Sequence, residues 1–145
     1  MVLKVLKTDP RIVLPKYESE GASGMDLRAF LDDDARIPPL GRVKVPTGLR
    51  IELPEGYEAQ VRPRSGLAAK QGLTVLNSPG TIDCDYRGDI EIIIINLGSD
   101  DAIIKNGDRI AQLVIAPVIR AEIEETDSLS VSLRGSGGFG STNIK

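Results

Sequence analysis

Short runs rich in β-branched residues, each closed by a turn-forming residue, follow one another along most of this chain. They occupy residues 2–6, 42–45, 50–53, 57–62, 74–76, 89–96, 109–118 and 121–124. Between them stand turns such as Pro38-Pro39, Pro54-Glu55-Gly56, Leu97-Gly98-Ser99 and Asn106-Gly107-Asp108. Glycine admits left-handed backbone, proline presets φ, and Asn or Asp bonds its own backbone, so each cluster turns the chain. Helical periodicity is almost absent. The pattern predicts an all-β fold, a jelly-roll-like barrel or sandwich with one short helix. Fifteen glycines, nine prolines and 3% aromatic residues agree with a build of many turns and small branched side chains. The run Ile92-Ile93-Ile94-Ile95 is apolar on both alternating faces; in a chain of 145 residues this suggests burial of one face against another subunit.

The one helix is predicted over residues 66–71, with Ser65 as N-cap and Gly72 just past its end. Its first amides would then point outward as an anion site. From Ser128 onward the composition changes to glycine and hydroxyl residues with one cation, Arg134, and one aromatic, Phe139. Such a segment cannot offset its own ordering entropy. The expected organisation is a β domain over residues 1–127 and a flexible C-terminal segment over 128–145.

The charge balance and the residue inventory narrow the chemistry. A net charge of −3 argues against nucleic acid or a membrane surface as partner, so any polyanion must be met by a local cluster of cations and amides. A single cysteine, Cys84, allows no intrachain disulfide and fits a reducing, cytoplasmic setting. No run approaches the roughly 20 apolar residues of a membrane span. The absence of histidine removes histidine triads, bases and metal ligands, which leaves a carboxylate, Lys or Tyr as base and oxygen as the ligand of any metal.

Five segments carry candidate chemistry. In Arg62-Pro63-Arg64-Ser65-Gly66-Leu67 two arginines lead into the helix start, which suits a phosphate but also describes a strand edge with solvated arginines. The stretch from Asn77 to Asp89 lies between two strand-like flanks and predicts a long hairpin, whose mouth exposes backbone donors and acceptors. Asp83 within it stands between apolar Ile82 and Cys84, an unusual place for a charge that only seeks water, although most turn aspartates are structural. Gln112 is a lone polar residue in an apolar strand and needs a backbone or ligand partner; Asp108 and Arg109 just before it suggest a plain ion pair. The segment Ser23-Gly24-Met25-Asp26-Leu27-Arg28-Ala29 resembles a turn entering a strand, and nothing in it alone demands function. The glycine-rich tail could wrap a phosphate or simply be loose.

Taken in order, SGMDLRA, RPRSGLA, NSPGTIDCDYRG, GDRIAQL and RGSGGFGST resemble the five sequence motifs of the homotrimeric dUTPases, over about residue 10 to the end. The resemblance implies a jelly-roll homotrimer with shared active sites and dUTP bound as a Mg²⁺–triphosphate complex. Mg²⁺ would be held through the phosphates and water, with no direct protein ligand. It implies Asp83 as the residue that activates the attacking water. Asn77, Thr81, Ile82 and Asp83 would read uracil, and Tyr86 would lie against the deoxyribose. Arg64, Ser65, Gly66 and Gln112 would hold the α- and β-phosphates; Arg134, Gly138 and Ser141 would close over the γ-phosphate, with Phe139 over the base. The product dUMP would feed thymidylate synthesis, and removal of dUTP would keep uracil out of DNA. Met25 departs from the family's commoner residue before the Asp-Leu pair, with no expected loss of activity. The rival expectations are a dCTP deaminase-like enzyme, whose hairpin base is a glutamate, and a non-catalytic nucleotide-binding trimer.

Overall fold

Alternate residues of the longer strands turn toward one interior. In the computed structural model, which describes residues 1–138, Ala59 and Val61 of β6 (Tyr57–Arg62) are buried while Glu58, Gln60 and Arg62 are not. The same alternation places Ile92 and Ile94 of β9 (Glu91–Asn96) in the core and leaves Ile93 and Ile95 half-covered. Within one chain, then, only one face of the Ile92–Ile95 run is fully buried.

The main sheet has four antiparallel strands in the order β2 (Met25–Arg28), β11 (Arg109–Pro117), β6, β8 (Gly80–Ile82). Leu113 of β11 lies opposite Met25 on one side and Val61 on the other, so the register stacks buried side chains across the sheet. A second sheet runs β4 (Arg42–Pro46), β9, β7 (Leu73–Val75). Two ribbons complete the fold, β1 (Lys4–Lys7) with β5 (Leu49–Glu52) and β3 (Ala35–Ile37) with β10 (Ala102–Ile104). The architecture is mostly β with one short helix, and the strands form four separate sheets, not one closed barrel.

All four sheets feed a single core that includes Leu27, Ile37, Val45, Ile51, Ile94 and Leu113. Burying each such side chain stabilises the fold by about 1.5–3 kcal/mol relative to exposing it. Two polar side chains sit among them with their hydrogen bonds made. Thr47 Oγ1 donates to Ile90 O at 2.7 Å. Asn96 Nδ2 donates to Ile37 O and Asp100 O, both at 2.8 Å, and its Oδ1 accepts from Gly98 N at 2.8 Å.

The helix α1 (Ser65–Gln71) starts one residue earlier than the sequence predicts. Arg64 is the N-cap and makes no side-chain capping bond, so Ser65 is the first helical residue and not the cap. Gly72 closes the helix in left-handed conformation, φ 67°, donating to Ala68 O. A Cβ on it would also strike Gly98 N at 2.5 Å, so its place is set by conformation and by space.

Two further expectations change. Residues 121–124 form no strand; Ile123 is 94% exposed and pairs with no strand among the described residues. Arg109 pairs with Asp26 and not with Asp108, whose carboxylate instead accepts the Lys105 amide at 2.8 Å. Strands β3, β8 and β10 lie outside the runs marked in the sequence: three residues show no alternation, and of the equally short strands only β7 overlaps one of those runs.

Candidate active site

Strand β7 belongs to the three-stranded sheet and β8 to the four-stranded one, so residues 76–79 carry the chain from one sheet to the other. A pocket opens at this crossing, walled by Val61 of β6, Val75 of β7, Ile92 and Ile93 of β9, and by Asn77, Thr81, Ile82, Asp83 and Tyr86. Gly80, buried, forms its floor; a Cβ there would lie 3.2 Å from Asn77 Nδ2 and 3.3 Å from Val61 Cβ.

The loop after β8 is tied by its own backbone. Tyr86 N donates to Asp83 O at 3.1 Å, and Tyr86 Oη donates to Asp89 O at 3.2 Å. Arg87 Nη1 donates to Cys84 O at 2.6 Å and to Tyr86 O at 2.9 Å. Asp83 is exposed at the pocket wall, and it also borders a wider cavity lined by Glu55, Tyr57, Glu58, Asp85 and Arg120. Its position between Ile82 and Cys84 is therefore the exposed residue just after β8, with Ile82 inward, and not the burial of a charge.

Ion pairs rim the pocket. Arg50 Nε meets Asp89 Oδ1 at 2.8 Å, and Lys44 Nζ meets Glu91 Oε2 at 2.6 Å. The hydrogen bond from Arg50 holds the Asp89 carboxyl below its ordinary range, and the bond to Glu91 holds Lys44 above its own.

A second cluster forms where β2, β11 and the β6–α1 junction meet. Asp26 pairs with two guanidiniums: Arg64 Nε lies 3.1 Å from Oδ1 as an ion pair, and Arg109 Nη1 donates to Oδ2 at 3.1 Å. Arg64 Nη1 also donates to Arg109 O at 3.1 Å. Gln112 lies opposite Arg62 on one neighbouring strand and Asp26 on the other, and its Nε2 donates to Pro63 O at 3.0 Å. Its carbonyl end needs Gly24, where a Cβ would stand 2.5 Å from Oε1. Ser65 and Gly66 are exposed, and a Cβ on Gly66 would touch nothing within 4 Å.

A family model for dUTPase matches residues 11–143. The chain belongs to the dUTPase family. It is 57% identical over 145 residues, the whole of both chains, to the deoxyuridine 5'-triphosphate nucleotidohydrolase of Hydrogenobaculum sp. (strain Y04AAS1). To the enzyme of the same name from Rhizobium etli (strain CIAT 652) it is 57% identical over 133 residues, 90% of this chain and 85% of that one. Among solved structures, the Staphylococcus bacteriophage 80alpha dUTPase with dUPNHPP superposes with a TM-score of 0.89 at 26% identity, covering 99% of each chain.

Against that family, Asn77, Thr81, Ile82, Asp83 and Tyr86 lie around one pocket, and Arg64, Ser65, Gly66 and Gln112 lie around the Asp26 cluster. The second group does not line the pocket of the first. Arg134 bonds within its own turn, Nε to Gly137 O at 2.7 Å, and Gly138 has open space around it. Phe139 and Ser141 lie outside the described residues. Sequence reasoning passed over Asp26 and Asp89 as site-forming residues. A charge alternating with Met25 and Leu27 signals only an outward side chain; which cations it meets is a property of the sheet.

Proposed function

We propose that the chain hydrolyses dUTP to dUMP and pyrophosphate by water attack on the α-phosphorus, with Asp83 as base. The observation that carries this reading is the place of Asp83, directly after edge strand β8 at the wall of a pocket sized between two sheets. β8 pairs with β6 on one side only, so the backbone groups of Thr81, Ile82 and Asp83 can face a base as another strand would. Asn77 adds a side-chain amide to this edge, and Tyr86 stands beside it for the sugar. In the reaction a water oxygen bonds to the α-phosphorus, the bond to the bridging oxygen breaks, pyrophosphate leaves, and the water's proton passes to the Asp83 carboxylate.

Arg64, Ser65, Gly66 and Gln112 are proposed to bind the α- and β-phosphates. Their separation from the base pocket within one chain favours a homotrimer of jelly-roll subunits with each site built by more than one of them. Helix α1 has no buried residue, and Ile119, Ile123, Leu129 and Val131 are each at least 88% exposed. Apolar side chains so bare along one segment suit a neighbouring subunit's surface. Residues 128–145, with Arg134, Gly138, Phe139 and Ser141, are proposed as the lid that closes over the triphosphate and base, set on the β catalytic domain of residues 1–127.

Mg²⁺ enters with the substrate. It would be held through the substrate's phosphates and water and would offset the triphosphate charge, as a hard cation that keeps several waters does; among the described residues no group of three or more Cys, Asp or Glu is placed to hold a metal. No helix of the described residues is long and apolar enough to cross a membrane, and a cytoplasmic setting is proposed from the lone cysteine.

Pyrophosphate release from dUTP, dCTP, dTTP and UTP with Mg²⁺ at neutral pH tests the reaction. Release from dUTP alone is expected, and Asp83→Asn should lose turnover while still binding nucleotide. Silence toward dUTP sinks the reaction, ammonia from dCTP points to a deaminase, and an active Asp83→Asn overturns the base.

A further inference from the structure

Position 88 carries glycine although its φ lies outside the left-handed region, so chain conformation does not demand one. What a side chain there would meet is Tyr86. A Cβ on Gly88 would stand 2.3 Å from Tyr86 Oη, 2.5 Å from Cζ and 2.9 Å from Cε2, and these are its three nearest heavy atoms. Carbon neighbours at rest sit about 3.5–4.0 Å apart, so the ring can occupy this seat only above a glycine.

Little else holds the ring. Tyr86 is 48% exposed, and the hydroxyl's bond to Asp89 O, at 3.2 Å, is long. Asp89 is itself fixed by Arg50 at 2.8 Å, which keeps that carbonyl in place for the hydroxyl. The ring therefore lies folded back on the 86–89 loop at the edge of the pocket that Asn77, Thr81 and Ile82 line.

We infer that Gly88 is a positioning residue for sugar selection: by lacking a Cβ it seats the Tyr86 ring where the ring bars a 2′-hydroxyl. This rests on the proposed role of Tyr86 against the deoxyribose. The three atoms a methyl group at position 88 would meet first all belong to the far end of a half-exposed side chain. The ring lifts off the loop and the fold stays. A ring that has left its seat no longer rejects the hydroxyl, and rejection of an added hydroxyl by shape alone is worth on the order of 10²-fold.

The experiment compares kcat/KM for dUTP and UTP in the wild-type chain, Gly88→Ala, Tyr86→Ala and the double variant, with a melting curve for each. Gly88→Ala should lower the dUTP-to-UTP ratio about tenfold or more while melting near the wild type. It should add less than about twofold once Tyr86 is already alanine, since it acts through that ring. A ratio that is unchanged or raised in Gly88→Ala while Tyr86→Ala lowers it overturns the role of Gly88 and leaves the sugar reading standing. An additive double variant, or a Gly88→Ala chain that does not fold, overturns it too. A ratio untouched by Tyr86→Ala removes the sugar reading itself, and the Gly88 inference with it.

Discussion

Asp26 shows how much one carboxylate can organise. It is 15% exposed and holds Arg64 and Arg109 at once, and Arg64 in turn reaches the Arg109 carbonyl. A guanidinium without such a partner would sample many rotamers, and freezing it on a ligand would cost about 2 kcal/mol of side-chain entropy. Asp26→Asn keeps the shape and removes the charge that aligns both arginines. Its kcat/KM for dUTP is expected to fall about tenfold, which corresponds to about 1.4 kcal/mol. Steady-state kinetics on the two proteins decide it; an unchanged kcat/KM would mean that Arg64 finds its place without the carboxylate.

Among the elements, the end of β9 is stitched to its surroundings by a single side chain. Asn96 is fully buried, donates to the carbonyls of Ile37 and Asp100, and accepts from the Gly98 amide. It joins the three-stranded sheet to β3 and to the 97–100 turn, and Gly98 there packs against Gly72 at the end of α1. Asn96→Ala takes this partner from the buried Ile37 carbonyl and from the part-buried Asp100 carbonyl and Gly98 amide, each worth about 1–3 kcal/mol where water cannot reach it. A loss of about 2–4 kcal/mol is expected, read from the midpoint of urea unfolding with the slope unchanged. A shift below about 1 kcal/mol would show that water replaces the side chain.

At the scale of the whole molecule, the proposed function assigns different tasks to two parts of the C-terminal segment. The apolar residues from Ile119 to Leu133 are bare in one chain, whereas the glycine-rich stretch begins at Arg134. Truncation before Arg134 should cripple pyrophosphate release and leave the proposed homotrimer intact. Truncation before Ile119 should dissociate it, because it removes the apolar side chains that a neighbour would cover. Light scattering and activity on both truncations separate the two tasks. Dissociation of the shorter truncation would make the glycine-rich stretch structural.

Much was legible in the chain itself. Strands β4, β5, β6, β9 and β11 follow from β-branched runs closed by turn residues, which suit a pleated, half-buried surface. The five motifs, with Asp83 and the missing histidines, place the chain in its family without any coordinates. Period and composition act locally, so they survive in the linear sequence. The partners of Asp26, the transfer of β8 to a different sheet from β7, and the seat of Tyr86 above Gly88 do not. They join residues through the register of neighbouring strands or the fold-back of a loop, and only the folded backbone sets those distances. The same holds for residues 121–124, where strand propensity is present and a partner strand among the described residues is not.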